Sequence, residues 1–287
     1  MIPLFRVVKP GVYATIQDRG RFGYRHFGMP VSGPMDWQAF QLGQEIIDNG
    51  ESNNALELFL GGLTLEVLSD HRIIIAGANL GALIDGEEVA PLWKTFSVLK
   101  GQMISFTKPI SGAIAYIIPE GGYLATEILG STSSYPRGLI GEPVKKETIL
   151  YANSMKETRL NRGLRLESTP KYAQDITIEL FESPHMELFT KTSVENFLNS
   201  IYTYRGGDRM GYFFNGTPLE FVESGDIVSE ATQFGTVQVP TNGQPIILMA
   251  DAQTTGGYAT IGTVIKADLP KVAQLKNGGT IRFKFRI

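Results

Sequence analysis

Three stretches of this chain recur in the same order, and that recurrence limits the fold more than any other feature. Arg21-Phe22-Gly23-Tyr24-Arg25-His26-Phe27-Gly28-Met29-Pro30 lines up with Arg209-Met210-Gly211-Tyr212-Phe213-Phe214-Asn215-Gly216-Thr217-Pro218 at the Arg, both Gly, the Tyr and the Pro. Further on, Ile73-Ile74-Ile75-Ala76-Gly77-Ala78-Asn79 resembles Ile247-Leu248-Met249-Ala250-Asp251-Ala252-Gln253, and Gly101-Gln102-Met103-Ile104-Ser105-Phe106 resembles Gly278-Gly279-Thr280-Ile281-Arg282-Phe283. The offsets differ slightly, as insertions and deletions in loops produce. A repeat on this scale predicts two domains of similar fold. The intervening segments are short, apolar and β-branched, punctuated by 32 Gly and 15 Pro, so each domain is expected to be β-rich. Closing each sheet into a barrel disposes of its edges. The expected class is mainly β: two tandem β-barrel domains, each with a short helix, over residues 1–165 and 166–287.

Alternation and turn signals place strands at Leu4–Val8, Gly11–Gln17, Ala55–Leu60, Leu63–Leu68, Arg72–Ala76, Ala82–Ile84, Phe96–Leu99, Met103–Phe106, Ala113–Ile118 and Ile176–Phe181, with a last one from Thr280 onward. Ser32-Gly33-Pro34 is expected to open a first helix ending at Asp48-Asn49-Gly50, and Ser183-Pro184 a second. The polar, poorly periodic region 136–171 reads as a linking segment at a domain boundary.

Composition narrows the chemistry. The chain has no cysteine, which removes thiolate catalysis, thiolate metal sites and disulfides. A formal charge of −3 with scattered Lys and Arg argues against a nucleic-acid partner. No run approaches the ~18 apolar residues that span a bilayer, and no charged leader precedes an apolar core at the start of the chain. A cytoplasmic protein without a membrane partner is expected. His26, His71 and His185 are too far apart for a histidine metal helix, and no metal site is expected. Neither a Gly-x-Ser-x-Gly elbow nor a P-loop appears.

The candidate site is the stretch after the apolar run Pro245–Leu248. Asp251, Gln253, Thr254 and Thr255 put an acid, an amide and two hydroxyls in sequence before Gly256 and Gly257, where backbone can approach a ligand. The same stretch also reads as a polar turn at a barrel rim. Arg19, Arg25 and His26 sit in an Arg- and Gly-rich loop suited to carboxylate or phosphate, with a solvated loop pinned by ion pairs as the alternative. Asp208 and Arg209 point to opposite faces of an extended chain, so each needs its own partner. Gly130-Ser131-Thr132-Ser133 is either an anion cradle or a flexible turn. This kit of carboxylate, amide, hydroxyl and Arg suits small amides, urea-like compounds and carboxylates.

Thr15-Ile16-Gln17-Asp18-Arg19-Gly20-Arg21-x-Gly23-Tyr24, Ser32-Gly33-x-Met35-Asp36, Gly130-Ser131-Thr132-Ser133, Asp208-Arg209-Met210-Gly211-Tyr212, Gln238-Val239-Pro240 and Asp251-x-Gln253-Thr254-Thr255-Gly256-Gly257-Tyr258 resemble the KipA family. That family is also known as the C subunit of 5-oxoprolinase, as allophanate hydrolase subunit 2, or as the biotin-dependent carboxyltransferase family. The resemblance implies two cyclophilin-like barrels and a hetero-oligomer formed with an A subunit and a KipI-type B subunit. Together these hydrolyse 5-oxo-L-proline to L-glutamate with ATP, which binds to or with one of the partners. On this reading the expected catalytic residues are Asp251, Gln253, Thr254 and Thr255, and the expected substrate-binding residues are Arg19, Arg25, His26, Ser131, Arg209, Gln238, Gly256, Gly257 and Tyr258. Its alternatives are carboxyl transfer from carboxybiotin to urea or a related amide, and non-catalytic binding of a KipI-type kinase inhibitor. Phe213-Phe214 stand where the family often has Arg-Leu, and Ala231–Gly235 departs from its usual Gly-Val-Val-Pro-Gly-like run.

Overall fold

The computed structural model describes residues 2–50, 53–153 and 161–286. Its contacts separate two units, Met1–Arg21 with Ser32–Tyr172, and Phe22–Val31 with Ala173–Ile287. The ten-residue stretch Phe22–Val31 thus groups with the second unit, which a boundary at 165/166 does not anticipate. Region 136–171 is not a bare linker. It contributes the strand Ile149–Ala152, which pairs with Ile2–Pro10, and the short 3-10 turns Pro136–Gly138 and Leu166–Ser168; residues 154–160 lie outside the described residues.

The first unit is built from two sheets around one core. One runs Ile149–Ala152, Ile2–Pro10, Leu63–Val67, Met103–Phe106, Ala82–Ile84, Glu88–Val89; the other runs Tyr13–Gln17, Ala55–Phe59, Ser111–Pro119, His71–Asn79, Thr95–Val98. The alternation seen in the sequence explains the first sheet: Leu63, Leu65 and Val67 face the core while Thr64 and Glu66 do not. In the other sheet, His71–Asn79 and Ser111–Pro119 are buried almost throughout. The helix Trp37–Ile47 packs against both strands and covers their other face. It begins later than expected from Ser32-Gly33-Pro34. Ser32 and Gly33 have φ of 58° and 81°, and Asp36 is the N-cap, accepting from Ala39 N at 2.9 Å. Glu57 accepts from Met35 N at 2.8 Å and from Tyr116 OH at 2.7 Å, fixing the approach to the helix from inside the unit.

The second unit is a closed seven-strand barrel. Around the ring run Asp175–Glu182, Thr260–Val264, Thr236–Gln238, Ile246–Leu248, Gly211–Asn215, Tyr202–Gly207 and Thr280–Phe285. All neighbours are antiparallel except the closing pair, Asp175–Glu182 with Thr280–Phe285, which is parallel. Phe197 of the helix Lys191–Asn199 stacks on Phe283, 4.6 Å between centroids, with Tyr202 and Phe214 around them. Burying each such aromatic contributes roughly 1.5–3 kcal/mol. Outside the ring, Asp226–Ala231 and Thr255–Tyr258 form a two-stranded ribbon. The mainly β class with short helices holds. The Ser183-Pro184 signal opens a 3-10 turn, Pro184–Leu188, before the second helix, which Thr190 caps.

Candidate functional site

The strand Ile246–Leu248 stops where the candidate stretch begins. The backbone pairing nevertheless carries one step further: Met249 N donates to Met210 O at 3.0 Å and Asp251 N to Arg209 O at 2.7 Å. The side chains close the same junction. Arg209 Nε donates to Asp251 Oδ2 and Nη2 to Oδ1, both at 2.8 Å, with side chains only 4% and 5% exposed. This two-pronged geometry fits a planar guanidinium against a carboxylate. The neighbouring Asp208 faces solvent and accepts from Met210 N at 2.7 Å. The opposed orientation of the Asp-Arg dipeptide is therefore seen, and Arg209's partner is Asp251. Both oxygens of Asp251 are engaged, so in this state it holds the turn in place.

Beyond that pin the chain rises toward solvent: Gln253 and Thr254 are half-buried, Thr255 and Tyr258 exposed, Gly256 and Gly257 between. Thr232, at the end of the ribbon, ties this stretch down. Its N donates to Thr254 O at 3.0 Å and its Oγ1 to Gln253 O at 2.7 Å, and its own carbonyl accepts from Arg25 Nη2. Gln253 Nε2 donates to Gln238 Oε1 at 3.3 Å. The second unit thus brings together Arg25, Arg209, Gln238, Asp251, Gln253, Thr254, Thr255, Gly256 and Gly257. His26 lies exposed on the same Phe22–Val31 stretch, its ring 4.0 Å from that of Phe27.

Arg19 and Ser131 belong to the first unit. Arg19 is exposed and, with Phe40, Gln41, Gln44 and Asn49, lines a shallow cavity of about 90 Å³. Ser131 is buried, and its loop does cradle an anion, the protein's own Asp18. Oδ1 of Asp18 accepts from Ser131 Oγ and Ser133 Oγ, each at 2.6 Å, and from Gly20 N at 2.9 Å; Oδ2 accepts from Thr132 N at 2.6 Å. Burial pushes the Asp18 carboxyl up, but these donors outweigh it and hold it below the usual carboxylate range. Next to it the buried Arg21 donates from Nε to Ile128 O at 2.9 Å and from Nη2 to Ser133 O at 2.8 Å. Sequence reasoning missed Asp18 and Thr232 as organisers. The hydroxyl run Ser131-Thr132-Ser133 was the signal for Asp18; Thr232 acts through backbone placement and left none.

Phe214 points into the barrel core and Phe213 outward, about half exposed. The departure at Phe213 therefore changes the surface beside the strand and leaves the core intact.

A closed barrel bearing an Arg-pinned, amide- and hydroxyl-rich turn, in a chain that also carries a two-sheet unit, defines a class of two-part β proteins with a polar rim site. The chain belongs to the carboxyltransferase domain family, subdomains A and B, which matches residues 27–285. It is 38% identical over 273 residues to the 5-oxoprolinase C subunit of Haemophilus influenzae, covering 94% of this chain and 87% of that one. The 5-oxoprolinase C subunit of Escherichia coli is 30% identical, with 98% and 90% covered. Urea amidolyase of Saccharomyces cerevisiae is 28% identical over 96% of this chain, which spans 16% of that enzyme. Among solved structures, TTHA0988 superposes with a TM-score of 0.90 at 29% identity; 99% of this chain matches 55% of that one. The Kluyveromyces lactis urea carboxylase gives 0.90 at 26% identity, with 98% of this chain matching 27% of that one. Among the described residues no helix is long and apolar enough to cross a membrane.

Proposed function

We propose that this chain is one component of a cytoplasmic, ATP-dependent 5-oxoprolinase complex that opens 5-oxo-L-proline to L-glutamate with an A subunit and a KipI-type B subunit. The observation that carries the reading is the 38% identity to a 5-oxoprolinase C subunit over 94% of this chain. Hydrolysis adds water across the ring C–N bond: the carbonyl carbon gains the oxygen and the nitrogen leaves as the amine. That carbonyl needs donors where charge develops on its oxygen. Gln253, Thr254 and Thr255 supply amide and hydroxyl groups on one turn, and Gly256 and Gly257 let the ligand approach backbone. In this reading Asp251 and Arg209 position the turn, and Arg25 and His26 flank it. In this reading ATP binds to or with a partner subunit, and this chain carries no P-loop for it.

The test is reconstitution: co-purify the chain with its partner subunits and measure ATP-dependent glutamate release from 5-oxoproline. Release that needs all components supports the reading, and an assembled complex without release overturns it. The similarity to urea amidolyase favours a second reading, carboxyl transfer from carboxybiotin to urea. That reaction requires a biotinylated partner and is blocked by avidin; glutamate release insensitive to avidin excludes it as the source of the activity.

A further inference from the structure

Gln238 ends the barrel strand Thr236–Gln238 and is 2% exposed. Its carboxamide oxygen accepts from Gln253, while its Nε2 is closed off from solvent and has no hydrogen-bond partner among the described residues. A buried amide donor left unmade is costly, and such groups are uncommon in folded proteins. What covers it is Gly256. A Cβ at that position would lie 2.2 Å from Gln238 Nε2, so the strand Thr255–Tyr258 rests on the amide because residue 256 is glycine. That strand belongs to the ribbon, which stands outside the barrel ring. Five of the six residues of its other strand, Asp226–Ala231, are exposed. An isolated pair of strands is marginal, so the ribbon's hold on the barrel resides in a few contacts. Thr232 and Arg25 anchor one end, and Glu230 Oε2 meets His185 Nε2 at 3.2 Å along its length.

We propose that Gln238 and Gln253 form a carboxamide-lined subsite roofed by this ribbon. When the roof lifts, Gln238 Nε2 donates to the carbonyl oxygen of a small amide or lactam and the Gln253 amide oxygen accepts its N–H. Two neutral carboxamides match a group that is donor and acceptor at once, and they discriminate against one that lacks the carbonyl. The choice of a lactam as ligand rests on the function proposed above; the roofed subsite does not.

The absence of cysteine allows a direct test with single thiols. Gln238→Cys places a thiol under the roof, and Ile178→Cys places one in the sealed core of the same barrel. In native buffer the thiol of Gln238→Cys is expected to react with a small thiol reagent about tenfold or more faster than that of Ile178→Cys, because local opening precedes global unfolding. Adding Glu230→Ala should raise the Gln238→Cys rate about two- to fivefold, the scale of losing one partly exposed hydrogen bond. Equal rates for the two thiols overturn the proposal. Calorimetry on the assembled complex then compares 5-oxoproline, urea and proline, which lacks the ring carbonyl. The wild type should prefer a carbonyl ligand and Gln238→Leu should lose that preference; a preference retained by Gln238→Leu overturns the subsite. A preference for urea over 5-oxoproline that Gln238→Leu abolishes upholds the subsite and removes the lactam assignment.

Discussion

Arg21 and Arg209 begin the two copies of the same sequence stretch. Both are buried, and they are satisfied in different ways. Arg209 grips the carboxylate of Asp251, whereas Arg21 donates to the carbonyls of Ile128 and Ser133. The second repeat match accounts for the difference. Where the second half has Asp251 the first has Gly77, and where it has Gln253 the first has Asn79. Gly77, at φ 90°, sits inside a continuous strand, and a Cβ there would lie 2.6 Å from Ile114 O. A side chain has no room at that point, so this position supplies no acid to the first unit. Asp18, one of several buried acids in the first unit, is satisfied by hydroxyls and amides. A repeated arginine thus keeps its place in the sequence while its wiring changes, and the second copy ends in a turn that offers a run of amide and hydroxyl groups to solvent.

The contrast can be broken most severely at the ion pair. Arg209→Ala leaves Asp251 buried and unpaired and should cost about 3–5 kcal/mol in denaturant unfolding. Replacing both partners, Arg209→Met with Asp251→Leu, should recover most of that loss. A single variant no more costly than the double one would show that the pair is not coupled.

The carbonyl-bound copy should be milder in charge terms but sensitive to acid. Asp18→Asn removes an acceptor from several donors and is expected to cost ~1–3 kcal/mol at neutral pH. Because the folded Asp18 carboxyl is held below its ordinary range, its contribution is complete above the unfolded value near ~3.9 and is lost as pH falls through the lower folded value. The gap between wild type and Asp18→Asn should therefore close below about pH 4. A gap that widens there contradicts the assignment.

His71, in the same unit, adds a second acid-sensitive group. Burial holds its pKa down against the opposing Glu120 carbonyl, which accepts from Nε2 at 3.0 Å. A histidine kept neutral by the fold contributes stability above about pH 6.5 that declines as pH falls below it. His71→Gln should flatten that part of the stability curve. The smallest effect is expected from Ser131→Ala, one donor among several on Asp18, at about 1 kcal/mol.

Much of the fold was legible. Ala82–Ile84 and Met103–Phe106 stand where alternation put them, and the first helix, capped by Asp36, follows shortly after the Ser32-Gly33-Pro34 signal. Of the three repeat matches, the last keeps its structure, with turn then strand at Gly101–Phe106 and again at Gly278–Phe283. The first does not: Gly211–Asn215 is a barrel strand, while Arg25–Phe27 is a 3-10 turn that groups with the second unit. Local pattern carries no information about which core a loop joins. The candidate site was legible as a list of residue types, and its wiring was not. Asp251 and Arg209 lie 42 residues apart, and periodicity gives no reason to join them. Gln238 showed only as part of a motif; its buried Nε2, without a partner among the described residues, appears once Gly256 is seen above it.

The most direct test of the central claim is the turnover of the assembled complex carrying Gln253→Ala. Gln253 contributes its side chain to the turn's polar face, and the turn is held by the Arg209–Asp251 pair and Thr232. The variant should therefore fold and assemble normally. Its ATP-dependent glutamate release from 5-oxoproline should fall about tenfold, the scale of losing one hydrogen bond to the lactam N–H. Wild-type turnover from the assembled Gln253→Ala complex would contradict the account.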